Sequence, residues 1–248
     1  FAKVLFDAEN LIKLGSWTPQ AMAYLRACVL AEKNILVAGG PGTGKTIFCL
    51  QTLYNNAKRG QDCLYITFEE LPDSLVQHMR RFGWEFRPLR SGQNLWELSV
   101  EDAGARGKLV VSRQDPFRIA RSVEALLAKA AGHLRIEMDG IPELVPRGLK
   151  PLLVALDSIT ALESAFVGKP ESYRIYIEQL FRFFEEKRFT TFLITETEEA
   201  PKKFSKSGVE EFLADGVFVL YNFKIRDTRV RAFEVLKLRG AHHERKIV

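Results

Sequence analysis

The chain has 248 residues, enough for one large domain with a sizeable core. With 46% hydrophobic and 27% charged residues, its composition is that of an ordinary globular protein, which excludes disordered and collagen-like chains. Lys and Arg total 36 against 31 Asp and Glu, a mild excess that permits a nucleic-acid or other anionic partner without demanding one.

No stretch is long and apolar enough for a membrane span, and no signal-peptide pattern opens the chain, so a cytoplasmic location is expected. Cys28, Cys49 and Cys63 are odd in number and form no C-x-x-C pair. They are expected to be buried reduced thiols, and neither a disulfide frame nor a zinc site.

Residues 1–33 come before the first core strand. Thr18-Pro19, followed by Ala21, Met22, Leu25, Cys28 and Val29, predicts an N-cap, a proline at the first helical position and an amphipathic helix packed on the core. Asn34–Ala38 is a short apolar run, the pattern of a buried strand. It leads into Gly39-Gly40-Pro41-Gly42-Thr43-Gly44-Lys45-Thr46, which satisfies G-x-x-x-x-G-K-[ST] in full. Apolar residues at 47, 50, 53 and 54 then recur with helical spacing.

A strand, a glycine-rich turn and a helix make the phosphate cradle of a P-loop nucleotide-binding protein. Glycines let backbone N–H groups close on phosphate oxygens, and the helix adds orphan N–H groups and the positive end of its dipole. The expected cradle is Gly40, Pro41, Gly42, Thr43, Gly44, Lys45, Thr46 and Ile47. Lys45 would reach the β- and γ-phosphates, and the Thr46 hydroxyl would bind Mg²⁺.

Cys63–Phe68 predicts a second buried strand, ending at the adjacent acids Glu69 and Glu70. Ligands of open α/β sheets sit at such carboxyl ends. A helix marked by Leu75, Val76, Met79 and Phe82 follows, closed by Gly83. Between 85 and 116 the pattern is weaker, with short strands at 95–100 and 108–111. Phe82, Trp84 and Trp96 are expected in the core. Asp115-Pro116 caps a helix with Ile119, Ala120, Val123, Leu126, Leu127 and Ala130 in phase, and 132–150 predicts an irregular connection.

Leu152–Ser158 is an apolar run that delivers Asp157 to a strand end, where a carboxylate would stand beside Mg²⁺. The plainer role for this acid is a helix cap. Tyr173, Ile177, Leu180, Phe181 and Phe184 make one helical stripe, and 189–195 another buried strand ending in Glu196, Glu198 and Glu199. Residues 200–208 predict a mobile loop, and 217–223 and 230–238 two strands of a closing hairpin. No internal repeat is present, so a single P-loop domain over 34–248 is expected.

With these elements placed, the chain resembles the KaiC family within the RecA-like ATPases. The matching segments, in family order, are GGPGTGKTIFCLQTLYN at 39–55, LYITFEELP at 64–72, FGW at 82–84, LDSITAL at 156–162, GVEEFLADGVFVL at 208–220 and EVLKLRG at 234–240. The resemblance implies an α/β fold of RecA type: a central, mostly parallel sheet flanked by helices. It implies ATP and Mg²⁺ as ligands, and a homo-oligomeric ring, commonly a hexamer, with ATP between head-to-tail neighbours. Glu69 and Glu70 match the family's paired catalytic glutamates, where a carboxylate would orient or deprotonate the attacking water. Two carboxylates so close would raise one another's pKa. Lys237 and Arg239 match a K-x-R segment that reaches the neighbour's nucleotide, and strand alternation puts both on one face. A charge pair of that kind is otherwise a solvated face.

Two departures qualify the match. Residues 1–33 lack the family's G-x-D-x-x-L-x-G-G entry and look weakly like the segment before the P-loop of secretion-type motor ATPases. Where the family's autokinase domains carry adjacent Ser/Thr, this chain has Glu210-Glu211-Phe212, which favours an ATPase over a self-phosphorylating domain unless Ser205, Ser207 or another site substitutes. Three functions follow in order: a regulatory, Mg²⁺-dependent ATP hydrolase; a nucleotide-held assembly module serving an unidentified protein partner; and a nucleic-acid-dependent ATPase. Scattered basic residues, with only Lys202, Lys203 and Lys206 clustered, put the last one third.

Overall fold

The computed structural model describes residues 32–129, 144–198, 201, 203–240 and 247. The helix expected over 18–29, Cys28, and much of the connection expected over 132–150 lie outside these residues.

The elements follow the sequence pattern closely. Asn34–Gly39 forms β1, Lys45–Lys58 α1, Cys63–Thr67 β2 and Pro72–Arg81 α2. Arg87–Gly92, Leu95–Asp102 and Ala105–Arg113 form β3, β4 and β5, and Pro116–Lys129 forms α3. Leu153–Asp157 is β6, Ile159–Ser164 α4, Pro170–Glu186 α5 and Thr190–Glu196 β7. Val209–Leu213 is the short α6, and Gly216–Ile225 and Thr228–Leu238 are β8 and β9.

All nine strands share one sheet in the order β3-β4-β5-β2-β6-β7-β1-β8-β9. From β5 to β8 the neighbours run parallel, while β3, β4 and β9 are antiparallel additions at the two flanks. The inner strands are covered on both faces, so they show apolar runs without alternation. Successive residues serve opposite sides: Ile35 and Val37 pack with α1 and α2, and Leu36 and Ala38 with α3, α4 and α5. Each fully buried large side chain in these layers contributes about 1.5–3 kcal/mol.

The expected stripe on α5 is buried throughout, with Tyr176 added to it. The C-terminal end of α1 lies against β5 at Gly107, where a Cβ would stand 2.5 Å from the carbonyl oxygens of Ala57 and Gln61. Only glycine allows that approach.

Three expectations change. Residues 85–116 hold three strands, including the exposed edge strand β3. Phe82 caps the C-terminal end of α2 at 38% exposed, and it stacks on the buried Trp84 instead of entering the core. Of the mobile loop expected over 200–208, the segment 203–208 is fastened: Glu211 accepts hydrogen bonds from the backbone N–H groups of Phe204 and Ser205. Cys49 and Cys63 are buried free thiols, and burial pushes both pKa values up. Among the described residues, no helix is long and apolar enough to cross a membrane.

Candidate nucleotide site

The carboxyl ends of β1, β2, β6 and β7 meet at one edge of the sheet. Gly39 ends β1 in register with Glu196 of β7 and Leu220 of β8, and Thr67 of β2 pairs with Asp157 of β6. A Cβ at Gly39 would lie 2.4 Å from the Leu220 carbonyl oxygen and 2.8 Å from Thr43 Oγ1, so a larger residue would lift the turn off the sheet. Gly40 and Thr43 are joined by a 2.9 Å hydrogen bond from Thr43 Oγ1, leaving Pro41 and Gly42 exposed at the tip. Gly44 caps α1 in a left-handed conformation. The first turn of α1, with Lys45, Thr46 and the half-buried Ile47, carries no acidic residue, so its N–H groups and dipole favour an anion at the loop.

Lys45 Nζ donates to the carbonyls of Gly39 at 2.8 Å and Gly40 at 2.9 Å. Burial lowers its pKa, while the negative charges of Glu196 and Asp157 oppose that shift. Thr46 Oγ1 donates to Asp157 Oδ2 at 2.7 Å, joining the loop to the end of β6. The same carboxylate oxygen accepts from the Tyr65 hydroxyl. Burial raises the Tyr65 pKa well above its ordinary value, with Asp157 adding to the shift, so the phenol stays a donor.

The capping role expected as the plainer alternative for Asp157 falls instead to Ser158, whose side chain accepts from the Ala161 N–H at 3.1 Å. Asp157 is thereby left to the site. A hydroxyl and a carboxylate oxygen beside a phosphate cradle suit Mg²⁺, which takes few protein ligands and completes its shell from phosphate and water. Among the described residues, no cluster of three or more His, Cys, Asp or Glu offers an all-protein metal cage.

Glu69 and Glu70 follow β2 in a turn held by Thr67, whose Oγ1 accepts from both of their N–H groups at 3.3 and 3.0 Å. The pKa of Glu69 is raised, first by partial desolvation at the strand end, then by Glu196 and Asp157, with Glu70 the smallest contributor. The expectation of mutual elevation within the pair therefore understated β7. Glu196 is fixed by its backbone: its N–H donates to Thr160 Oγ1 at 2.9 Å, and the next N–H, of Thr197, donates to Gly39 O.

Sequence reasoning passed over two members of the site. In the sequence Tyr65 is indistinguishable from strand core, and Glu196 shows only as an acid ending a strand. Pairing of β7 with β1, which only the fold supplies, is the signal that brings Glu196 in.

Lys237 and Arg239 stand elsewhere. Lys237 pairs with Val217 whereas Gly39 pairs with Leu220, so along the strands Lys237 lies about 10 Å toward the opposite, amino edge. There Lys237 Nζ donates to the carbonyls of Glu211 at 2.9 Å and Phe212 at 3.1 Å, and Arg239 donates to Phe212 O at 2.7 Å. Cations at the carbonyl end of α6 are favourably placed. The structure brings Lys45, Thr46, Asp157, Glu69 and Glu70 to one edge and leaves these two cations at the other.

A family model described as ATPase: KaiC matches residues 26–248. A circadian clock oscillator protein KaiC from Parathermosynechococcus lividus is 30% identical over 216 residues, covering 85% of this chain and 35% of that protein. Its counterpart from Parasynechococcus marenigrum is 32% identical over 219 residues, covering 85% of this chain and 37% of that protein. The chain thus spans little more than a third of the length of these clock proteins. It is also 29% identical over 215 residues to a UPF0273 protein of Pyrococcus horikoshii, covering 86% of this chain and 80% of that one. Among solved structures, a KaiC-like protein from Pyrococcus horikoshii matches with a TM-score of 0.60 at 23% identity, over 88% of this chain and 84% of that one, a likeness of fold.

Proposed function

The chain belongs to the KaiC family of ATPases, and from that premise we propose that it is a regulatory, Mg²⁺-dependent ATP hydrolase. It works as a homo-oligomeric ring, commonly hexameric in this family, with each ATP shared between neighbours. The observation that carries this reading is the 2.7 Å contact between Thr46 and Asp157, which joins positions 111 apart in the chain beneath the phosphate cradle.

In this mechanism the N–H groups of the loop and first turn of α1 bind the phosphates, with Lys45 turned to the β- and γ-oxygens. Thr46 and Asp157 would hold Mg²⁺, whose positive charge would offset that of the phosphates. Glu69 accepts a proton from water as its oxygen attacks the γ-phosphorus, and the bond from that phosphorus to the β–γ bridging oxygen breaks, releasing ADP. A raised pKa brings this carboxylate closer to the working pH of a general base. Lys237 and Arg239 of the neighbouring subunit balance charge on the transferring phosphoryl group, as cations supplied in trans do elsewhere.

Phosphate release from ATP·Mg²⁺ should fall at least about 100-fold in Lys45→Ala. Equal release by the two proteins would end the hydrolase reading. The engagement of Lys237 and Arg239 with carbonyls of their own chain favours a second reading, in which ATP only holds the ring together. Release no faster than in Lys45→Ala, with ATP still driving assembly of the wild type, selects it.

A further inference from the structure

Phe212 stands in α6 with 74% of its surface exposed. A single exposed aromatic is common and says little by itself. Its setting says more, because its own carbonyl oxygen is the acceptor that Lys237 and Arg239 share, at 3.1 and 2.7 Å. Arg239 is also backbone-tied to the rest of the amino edge: its N–H donates to Asp215 O, and the Asp215 N–H to Asn34 O at the start of β1. The backbone that carries the ring is therefore tied to both cations. The two carbonyls of α6 use two of the three protons of Lys237, and the Phe212 carbonyl takes one of the five N–H groups of Arg239. This edge presents positive charge and an apolar ring together.

The opposite edge offers the complementary arrangement. Glu69, Glu70 and Glu196 are exposed at the carboxyl ends of their strands, and Leu71, directly after Glu70 and capping α2, is 41% exposed. Acids beside an apolar residue on one edge match cations beside an apolar residue on the other. Two such faces on one chain define a heterologous, head-to-tail contact, which closes into a ring when the rotation permits.

We propose that Phe212 is a subunit-contact residue, whose ring packs on the carboxyl edge of a second copy of this chain beside Leu71 and the nucleotide shared there. This rests on the shared-site reading above and adds to it the apolar anchor of the contact. Lys237 and Arg239 supply charge at the rim of this contact, and Phe212 supplies the desolvated centre, the part of an interface that carries most of its binding energy. Because the side chain is largely solvated in the single chain, replacing it leaves the fold and the phosphate cradle untouched.

The test is the mass in solution of wild type, Phe212→Ala and Phe212→Leu, each with ATP·Mg²⁺ over a range of protein concentration. Circular dichroism checks the fold, and a fluorescent ATP analogue reports binding to the dilute protein. Phe212→Ala should raise the concentration for half-assembly at least about tenfold, Phe212→Leu should recover most of that loss, and all three should bind the analogue alike. Assembly of Phe212→Ala at wild-type concentrations would overturn the role of Phe212 and leave the shared site standing. A wild type that stays monomeric with ATP·Mg²⁺ throughout would overturn both.

Discussion

The two edges of the sheet are built in opposite ways. At the carboxyl edge, Thr46, Tyr65, Asp157 and Glu196 come from four strand ends or their continuations and are drawn together by parallel pairing. At the amino edge, α6 and β9 are near neighbours in sequence, and Lys237 and Arg239 spend hydrogen bonds on carbonyls a short way back along it. One edge gathers charged groups around a phosphate cradle, while the other is a charged, partly apolar surface. Under the proposed function, a site divided between these edges would link turnover to assembly.

Mixing two crippled proteins tests that division most severely. Glu69→Gln with Glu70→Gln should lower turnover by about 100-fold or more while ATP binding persists. Lys237→Ala with Arg239→Ala should lower it by about 1,000-fold. In an equal mixture that exchanges subunits, about a quarter of the contacts pair intact glutamates with intact cations, so turnover should recover toward a quarter of the wild-type rate. Phosphate release measured before and after mixing gives the answer. A mixture no faster than its parents means that the edges do not serve a common site.

The carboxyl edge was the more legible of the two in the sequence. Strands β1, β2, β6 and β7 are buried on both faces, so their apolar runs stand out, and the glycine-rich turn with Lys45 and Thr46 implies an acid where Asp157 lies. Edge strand β3 was invisible for the converse reason. Its residues RPLRSG are exposed throughout, so no buried face imposes a period of two, and Pro88 argues against a strand until a bulge accommodates it. The fastening of 203–208 escaped notice because a carboxylate bonding to backbone N–H groups leaves no periodicity. Tyr65 failed to announce itself because a tyrosine in a core strand reads the same whether or not its hydroxyl orients a metal-binding acid.

Tyr65→Phe sharpens the contrast from within the carboxyl edge. The hydroxyl lost is a donor to Asp157 Oδ2, an oxygen that keeps Thr46 as its other partner. Stability should fall by about 1 kcal/mol, read by denaturant unfolding. The Mg²⁺ concentration for half-maximal phosphate release should rise about tenfold, because a group that orients a metal ligand tunes affinity without touching the metal. Assembly should not change if the amino edge alone determines how subunits recognise this surface. An unchanged Mg²⁺ dependence would reduce Tyr65 to core packing.

The smallest effect concerns Glu196, and its sign separates electrostatics from structure. Glu196 raises the pKa of Glu69, secondary to partial desolvation, and it also opposes the lowering that burial imposes on Lys45. In Glu196→Gln the Glu69 carboxyl moves back down toward its ordinary range, so the base stays ionised at lower pH and the acid limb of the kcat/KM profile moves to lower pH. Lys45 loses a stabilising negative charge, its pKa falls further, and the alkaline limb moves to lower pH as well. Both limbs therefore slide in the same direction. A substitution acting only through the backbone ties of β7 to Thr160 and Gly39 would instead lower the plateau and leave both limbs in place. Phosphate release across pH at saturating Mg²⁺, compared between Glu196→Gln and wild type, tells these apart. A joint slide identifies Glu196 as the charge that sets the working pH of an edge whose other acids act more directly.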